Sequence, residues 1–356
     1  MMRLAVTLLL FSSIFFNNIQ AVEIKLLREI LIDEKTILLE KPSSFIKTTN
    51  GSYIIADYQA GDLKQYHPDG KFLNTFGRKG QGPNEFLSPF AISYYPPQLS
   101  ILDIDRRMIF ILNCSDDGIL NSIDYFSCPG GAEKISLSND RITISGYLVD
   151  SEETKYSIYQ YILKTKEIIP IIPRYQIFGY SSQDEYEKHF ADDIAPLGMR
   201  VLCAQYRENV YAIWDRNLKI FKKNSKTKDI NFFGEKTRQF IPLKNTKEFH
   251  TAYKNKDVKK LQEMIHKFSF ISTIAATDKY FILIYHNLRD SKKYVYVQFY
   301  NHTGDFLEEK ELLSPSRYGM FYISPDAKNI YELCDDILPT QVTHKIRIYA
   351  IDSGKN

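Results

Sequence analysis

Three aspartates sit where carboxylate chemistry could be built. Asp57, Asp103 and Asp215 each close an apolar run, and Tyr53-Ile54-Ile55-Ala56-Asp57 is echoed about 46 residues later by Leu99-Ser100-Ile101-Leu102-Asp103. Carboxylates at equivalent strand ends could converge on one metal ion, or each could cap the turn that follows it, which is the ordinary work of Asp at such a position. Arg78 and Glu85 flank a glycine-rich segment, where Glu85 can accept from backbone amides and Arg78 can pair with a carboxylate of the next repeat. Arg107 follows Asp103 closely, and its guanidinium, like that of Arg78, could grip carboxylates or sugar hydroxyls. Asp57, Asp103, Arg78, Arg107 and Glu85 are therefore the candidate ligand-binding residues.

Other catalytic signatures are missing from the sequence. There is no G-x-S-x-G, H-E-x-x-H, phosphate-binding or EF-hand loop, and the glycines at 77, 80 and 82 are in the wrong order for a dinucleotide fingerprint. The seven histidines are scattered. Cys114, Cys128, Cys203 and Cys334 show neither C-x-x-C spacing nor a neighbouring His, so no zinc site is expected and buried free thiols are the preferred reading. A hairpin at Asp117-Gly118 would place Cys114 opposite about residue 121, not opposite Cys128. No cofactor or metal is expected.

The elements that would carry these residues are strands. The 25 Tyr and 23 Phe, set against 16 Gly, favour a pleated surface, and the repeat spacing suits a four-stranded propeller blade. On this reading blades cover 44–76, 90–126, 134–172, 200–233, 270–312 and 320–351. The sixth blade lacks an outer strand, which the N-terminal stretch around Ile24 to Ile32 is free to supply. The expected fold is all-β: a six-bladed propeller of four-stranded antiparallel blades with helical insertions on one face.

Gly77-Arg78-Lys79-Gly80-Gln81-Gly82-Pro83-Asn84-Glu85-Phe86, followed by Pro89-Phe90-Ala91-Ile92, resembles the inter-blade segment G-x-G-P-x-E-F of exported bacterial six-bladed propellers of the NHL-like class. The close likeness covers about residues 44 to 126, with Asn84 where glycine is common. The resemblance implies the propeller fold and, since related propellers include metal-dependent lactonases and lyases, an alternative activity: a metal-dependent lactonase, hydrolase or lyase acting in the central channel.

Antiparallel order sends the second-to-third and outer-to-next-inner connections of every blade to one face of the disc. That face receives the insertions at about 174–198 and 234–268, and long loops on a rigid scaffold concentrate function. The opposite face receives short turns, with little room expected for a site. In the first insertion Tyr175, Phe178, Tyr180, Tyr186 and Phe190 accompany Asp184, Glu185, Glu187, Asp192 and Asp193, a mixture that suits either sugar or peptide recognition or a small amphipathic helix. The second contains a helix pattern, with Asn245 and Glu248 in capping-box spacing and lysines on its outer side.

Met1-Met2-Arg3, the apolar stretch Leu4 to Phe16 and the small-residue end at Ala21 have the order of an export signal, so residues 1–21 are expected to be removed and 22–356 to form the propeller. No segment after residue 22 is apolar for long enough to span a bilayer. A net charge of +3 gives no field that would attract nucleic acid. The resulting expectation is a periplasmic or secreted monomer, a non-catalytic binding module recognising a peptide, glycan or protein partner on its long-loop face.

Overall fold

A computed structural model describes residues 22–128, 131–146, 155–193, 200–227, 229–234, 239–243, 246–289, 292–312, 319–338 and 341–352. The export-signal stretch, residues 1–21, lies outside the described residues.

The strands form six antiparallel sheets of four strands each. β1 (Glu23–Leu31) comes first in the chain; β2 (Pro42–Lys47), β3 (Tyr53–Asp57), β4 (Asp62–Tyr66) and β5 (Phe72–Phe76) make the first blade. β6 (Pro89–Tyr95), β7 (Gln98–Asp103), β8 (Met108–Cys114) and β9 (Leu120–Ser127) make the second, and β10 (Ala132–Leu137), β11 (Arg141–Gly146), β12 (Tyr156–Ile162) and β13 (Glu167–Pro173) the third. The fourth blade is β14 (Val201–Tyr206), β15 (Asn209–Trp214), β16 (Ile220–Asn224) and β17 (Ile230–Phe233), and the fifth is β18 (Phe270–Ala276), β19 (Phe281–Arg289), β20 (Lys292–Tyr300) and β21 (Phe306–Leu312). In the sixth, β22 (Gly319–Ile323), β23 (Asn329–Leu338) and β24 (Gln341–Asp352) accept β1 as the outer strand, in register from Glu23 opposite Asp352 to Leu31 opposite Lys345. The ring therefore closes with the N-terminal strand.

Middle strands are buried on both faces because each blade is covered by a neighbour on either side. Along β3 the period of two divides the side chains: Ile54 and Ala56 pack with Leu99 and Ile101 of the second blade, while Tyr53 and Ile55 pack with Leu333 and Ile346 of the sixth. Outer strands have lost one cover. Leu73 on β5 is half exposed, as are Ile123 and Tyr125 on β9.

The glycine-rich crossing from the first blade to the second is fixed by Phe86. Its ring is fully buried, edge-on to Phe110 with centroids 5.0 Å apart, and its amide donates to the Arg78 carbonyl at 2.9 Å. Burying that ring contributes about 2 kcal/mol. Gly77 has φ +83°, and a Cβ there would meet the Phe86 ring at 2.5 Å, so only glycine fits. Asn84, at the position where glycine is common, also has a positive φ of 56°, a conformation Asn tolerates better than most residues.

The insertions form short helices, α1 (Arg174–Ile177) and α2 (Gln183–Asp193) in the first, α3 (Lys247–Lys254) and α4 (Val258–Ile265) in the second. The single helix expected in the second insertion is thus two, broken between Lys254 and Val258. Their N-caps are Thr246, whose hydroxyl accepts from the Phe249 amide at 3.1 Å, and Asp257, which accepts from the Lys260 amide at 3.0 Å. Asn245 lies outside the described residues. Phe249, Ala252 and Met264 join Trp214 and Val210 in the core between the third and fourth blades. Phe178 and Tyr186 of the first insertion are likewise spent on packing, Phe178 lying 5.3 Å from Trp214 between centroids. The side chains of Phe190, Asp192 and Asp193 lie outside the described residues.

Candidate functional site

Of the candidate residues from the sequence, Arg78 and Glu85 lie in the crossing between the first two blades and Asp103 holds its far end, whereas Asp57 holds the segment entering the first blade and Arg107 lies in the turn after Asp103. Asp57 is fully buried; its carboxylate accepts from the amides of Glu40 and Lys41 at 2.8 and 3.0 Å, caps the turn through Gln59 and Ala60, and receives Lys64 Nζ at 2.9 Å. Asp103, also fully buried, accepts from the amides of Leu87 at 2.7 Å and of Ser88 and Arg106 at 3.1 Å. Both carboxylates brace turns, and neither lines the central channel. Asp215 is buried too, with Arg216 Nε at 3.6 Å, and burial pushes its carboxyl up to about 6.

Glu85 accepts from the Gly82 amide at 2.7 Å and from Arg78 at 2.7 Å, which ties both ends of the glycine-rich crossing together. That amide and the Arg78 guanidinium hold its carboxyl below the usual range. Arg78 keeps most of its side chain in solvent, and Arg107, exposed at a positive φ of 54°, ends the turn after Asp103. Neither arginine pairs with Asp57 or Asp103. The residue that secures the crossing from the second blade is Arg106, which donates to the carbonyls of Gly82 and Glu85 and lies over the Phe110 ring.

The inner strands enclose a channel that holds two connected cavities. One, of about 610 Å³, opens on the short-turn face and is lined among others by Ser93, Tyr95, Gln205, Tyr206, Ser136 and Tyr322. This corrects the expectation that the short-turn face has little room. Its turns are short, but the space lies between six inner strands rather than within loops. The other cavity, of about 750 Å³, opens on the long-loop face beneath residues 38–43. Ser44, Phe45, Lys134, Ser272, Thr273 and Phe321 line both.

The upper cavity is cationic. Lys134 from β10, Arg200 immediately before β14, Lys293 from β20 and Lys41 at the rim face Glu40 and Asp335. Lys134 and Arg200 have no carboxylate within ion-pair distance among the described residues, and burial together with Arg200 brings the Lys134 amine down to about 8. Glu133, beside Lys134 in sequence, accepts from the Val201 amide at 3.1 Å, and burial raises its carboxyl to about 7, so near neutral pH it supplies only part of a negative charge to Lys134 and Arg200. His286, also in the wall, is buried and stacked on Phe270 with centroids 4.6 Å apart. Its Nε2 lies 2.7 Å from Ser272 Oγ, and its Nδ1 has no partner among the described residues. Burial, then Lys293 and Arg200, hold the ring well below its ordinary pKa, so it is neutral.

Among the described residues no group of three or more His, Cys, Asp or Glu is placed to hold a metal ion. The four cysteines are free and buried, with Cys114 opposite Leu120, one residue from the expected position. No helix among the described residues is long and apolar enough to cross a membrane.

Lys134, Arg200, Lys293 and His286 are the site residues that sequence reading missed. The available signal was positional: Lys134 falls in an inner strand and Arg200 immediately before one, and the inner strands line the channel. His286, on the second strand of the fifth blade opposite Phe270, and Lys293, on the third strand opposite Leu288, line it at the end of that blade toward the long-loop face.

No protein-family model matches the chain, and no curated protein matches it. Among solved structures, a member of the DUF4221 family from Bacteroides vulgatus aligns with a TM-score of 0.63 and 12% identity, covering 94% of this chain and 98% of that one. A candidate exported protein from Bacteroides fragilis aligns with a TM-score of 0.59 and 12% identity, covering 93% and 95%. Identity this low shows the fold alone, and the chain is a six-bladed propeller of that architecture.

Proposed function

We propose that the protein is an exported, non-catalytic binding module of the NHL-like propeller class that holds its ligand in the central channel, entered from the long-loop face. The observation that carries this reading is the upper cavity. It is large enough for several sugar or amino-acid units, walled by rigid inner strands, and supplied with the cationic side chains of Lys134 and Arg200. Its framing by the long connections agrees with the asymmetry of the loops. Arg78 and Arg107, exposed on the same face, give a longer ligand a second point of attachment, while Asp57, Asp103 and Glu85 keep the crossing beneath them in shape.

Export follows from the order of charged, apolar and small residues in positions 1–21, with the mature chain in the periplasm or secreted as a monomer. The test is occlusion. Thr273 lines both cavities, so Thr273→Trp should block the channel, abolishing binding of peptide or glycan hits from a broad screen at an unchanged melting temperature. Undiminished binding by a folded Thr273→Trp variant would place the ligand elsewhere.

A further inference from the structure

The channel is polar at both ends, but its two halves differ in chemistry. The lower half presents hydroxyl groups, amides and the rings of Tyr95, Tyr206 and Tyr322, with charges near its turns and Lys134 at its boundary with the upper half. The upper half presents Lys134 and Arg200 without ion-pair partners among the described residues, and Lys293 across the cavity. Two cations held together in a partly desolvated wall are unfavourable for the empty protein and favourable for a bound anion.

We propose that the upper cavity is an anion subsite formed by Lys134, Arg200 and Lys293, and that the channel ligand is an acidic oligosaccharide whose carboxylate docks there while neutral rings extend along the hydroxyl- and tyrosine-lined lower half. This rests on the channel-binding reading above. A sugar fits the lower half because its hydroxyls meet polar lining groups such as the exposed Asn139 side chain and a C–H face can lie against the exposed Tyr95 ring, whereas the Tyr206 ring is stacked on His302 and Tyr322 is packed against Phe45 and Tyr331. An arginine beside a lysine suits a carboxylate, since the guanidinium supplies a planar donor pair and the ammonium a point charge.

The experiment is calorimetric titration of the full mature chain with uronate-bearing oligosaccharides of several lengths, their neutral counterparts, and glutamate oligopeptides of equal charge. Uronate ligands should bind at least about tenfold more tightly than the neutral sugars. Lys134→Gln and Arg200→Gln should each weaken uronate binding about tenfold and leave neutral-sugar binding within about twofold. Lys134→Gln should melt at or above the parent temperature, because it removes a desolvated charge beside Arg200, whereas Arg200→Gln also takes a favourable cation away from the carboxyls of Glu133 and Asp215. Should one of them melt lower, Lys293→Gln on the opposite wall gives a second reading of the same charge effect.

Uronate affinity should also fall between pH 7 and 9, as Lys134, which faces Arg200, Glu133, Cys203 and the Phe90 ring, loses its proton near about 8. Equal affinity for neutral and uronate sugars, or uronate binding indifferent to both glutamine variants, would overturn the anion subsite while leaving channel binding intact. Glutamate peptides binding as tightly as uronates would overturn the sugar assignment. Absence of binding by every ligand would overturn this proposal and the channel-binding reading together.

Discussion

Lys64 Nζ lies 2.9 Å from the Asp57 carboxylate in an ion pair from which solvent is almost wholly excluded, and Asp62 holds the same ammonium at 2.7 Å. Burial opposes the Asp57 charge, but the Lys64 bond and the amides of Glu40 and Lys41 outweigh it and keep the carboxyl below its usual range. The aspartate therefore joins the first blade to the segment that enters it.

Asp57→Ala should accordingly cost about 2–4 kcal/mol, because it leaves the buried Lys64 ammonium with Asp62 alone and strands the Glu40 and Lys41 amides. Urea unfolding at neutral pH measures it. A loss below about 1 kcal/mol would mean that solvent or Asp62 takes over those bonds.

Glu133 gives a pH-dependent effect of the opposite kind. Unfolding returns its carboxyl from about 7 to its ordinary value of 4.5, so between these values the folded chain keeps a proton that the unfolded chain has lost, and stability falls as pH rises through that window. Glu133→Gln keeps an acceptor for the Val201 amide and removes the penalty. It should be more stable than the parent by about 1–3 kcal/mol at pH 8 and indistinguishable from it near pH 4, as read from denaturant midpoints at the two pH values.

Removing residues 22–34 should open the ring. It takes away β1, with its Glu29 pairs to Lys345 and Arg347 and the Glu34 pair to His344, and leaves the outer edge of β24 without a partner. Light scattering should then show aggregation. A monomer with the parent melting curve would contradict closure by β1. N-terminal sequencing of exported protein should begin at Val22, immediately before that strand.

Arg78→Ala combined with Arg107→Ala should leave the melting temperature nearly unchanged, since both side chains are largely in solvent and the Arg78–Glu85 pair is a surface pair. Binding of short ligands should persist, whereas long ligands that leave the channel should lose affinity. Equal affinity for long ligands would remove the outer rim from the binding surface.

Much of the fold could be read from local signals. The echo of Tyr53–Asp57 in Leu99–Asp103 set the blade length, and the missing outer strand of the sixth blade pointed to β1 as its partner, because a propeller repeats one unit whose strands announce themselves by alternation. The two-helix form of the second insertion was less legible, since its apolar spacing fits one helix nearly as well as two and the break depends on Asp257 starting a new cap.

Periodicity and strand order along the chain suffice for the all-β propeller, its closure and the face that carries the long loops. Which polar side chains meet depends on how the blades pack in space. Asp57 and Asp103 recur at the same blade position, yet each is drawn to the nearest unpaired amides, because a buried carboxylate is stabilised most by donors already held close. Lys134, Arg200 and Lys293 share no local pattern and are brought to one cavity by ring closure, which makes neighbours of residues from blades far apart in the chain.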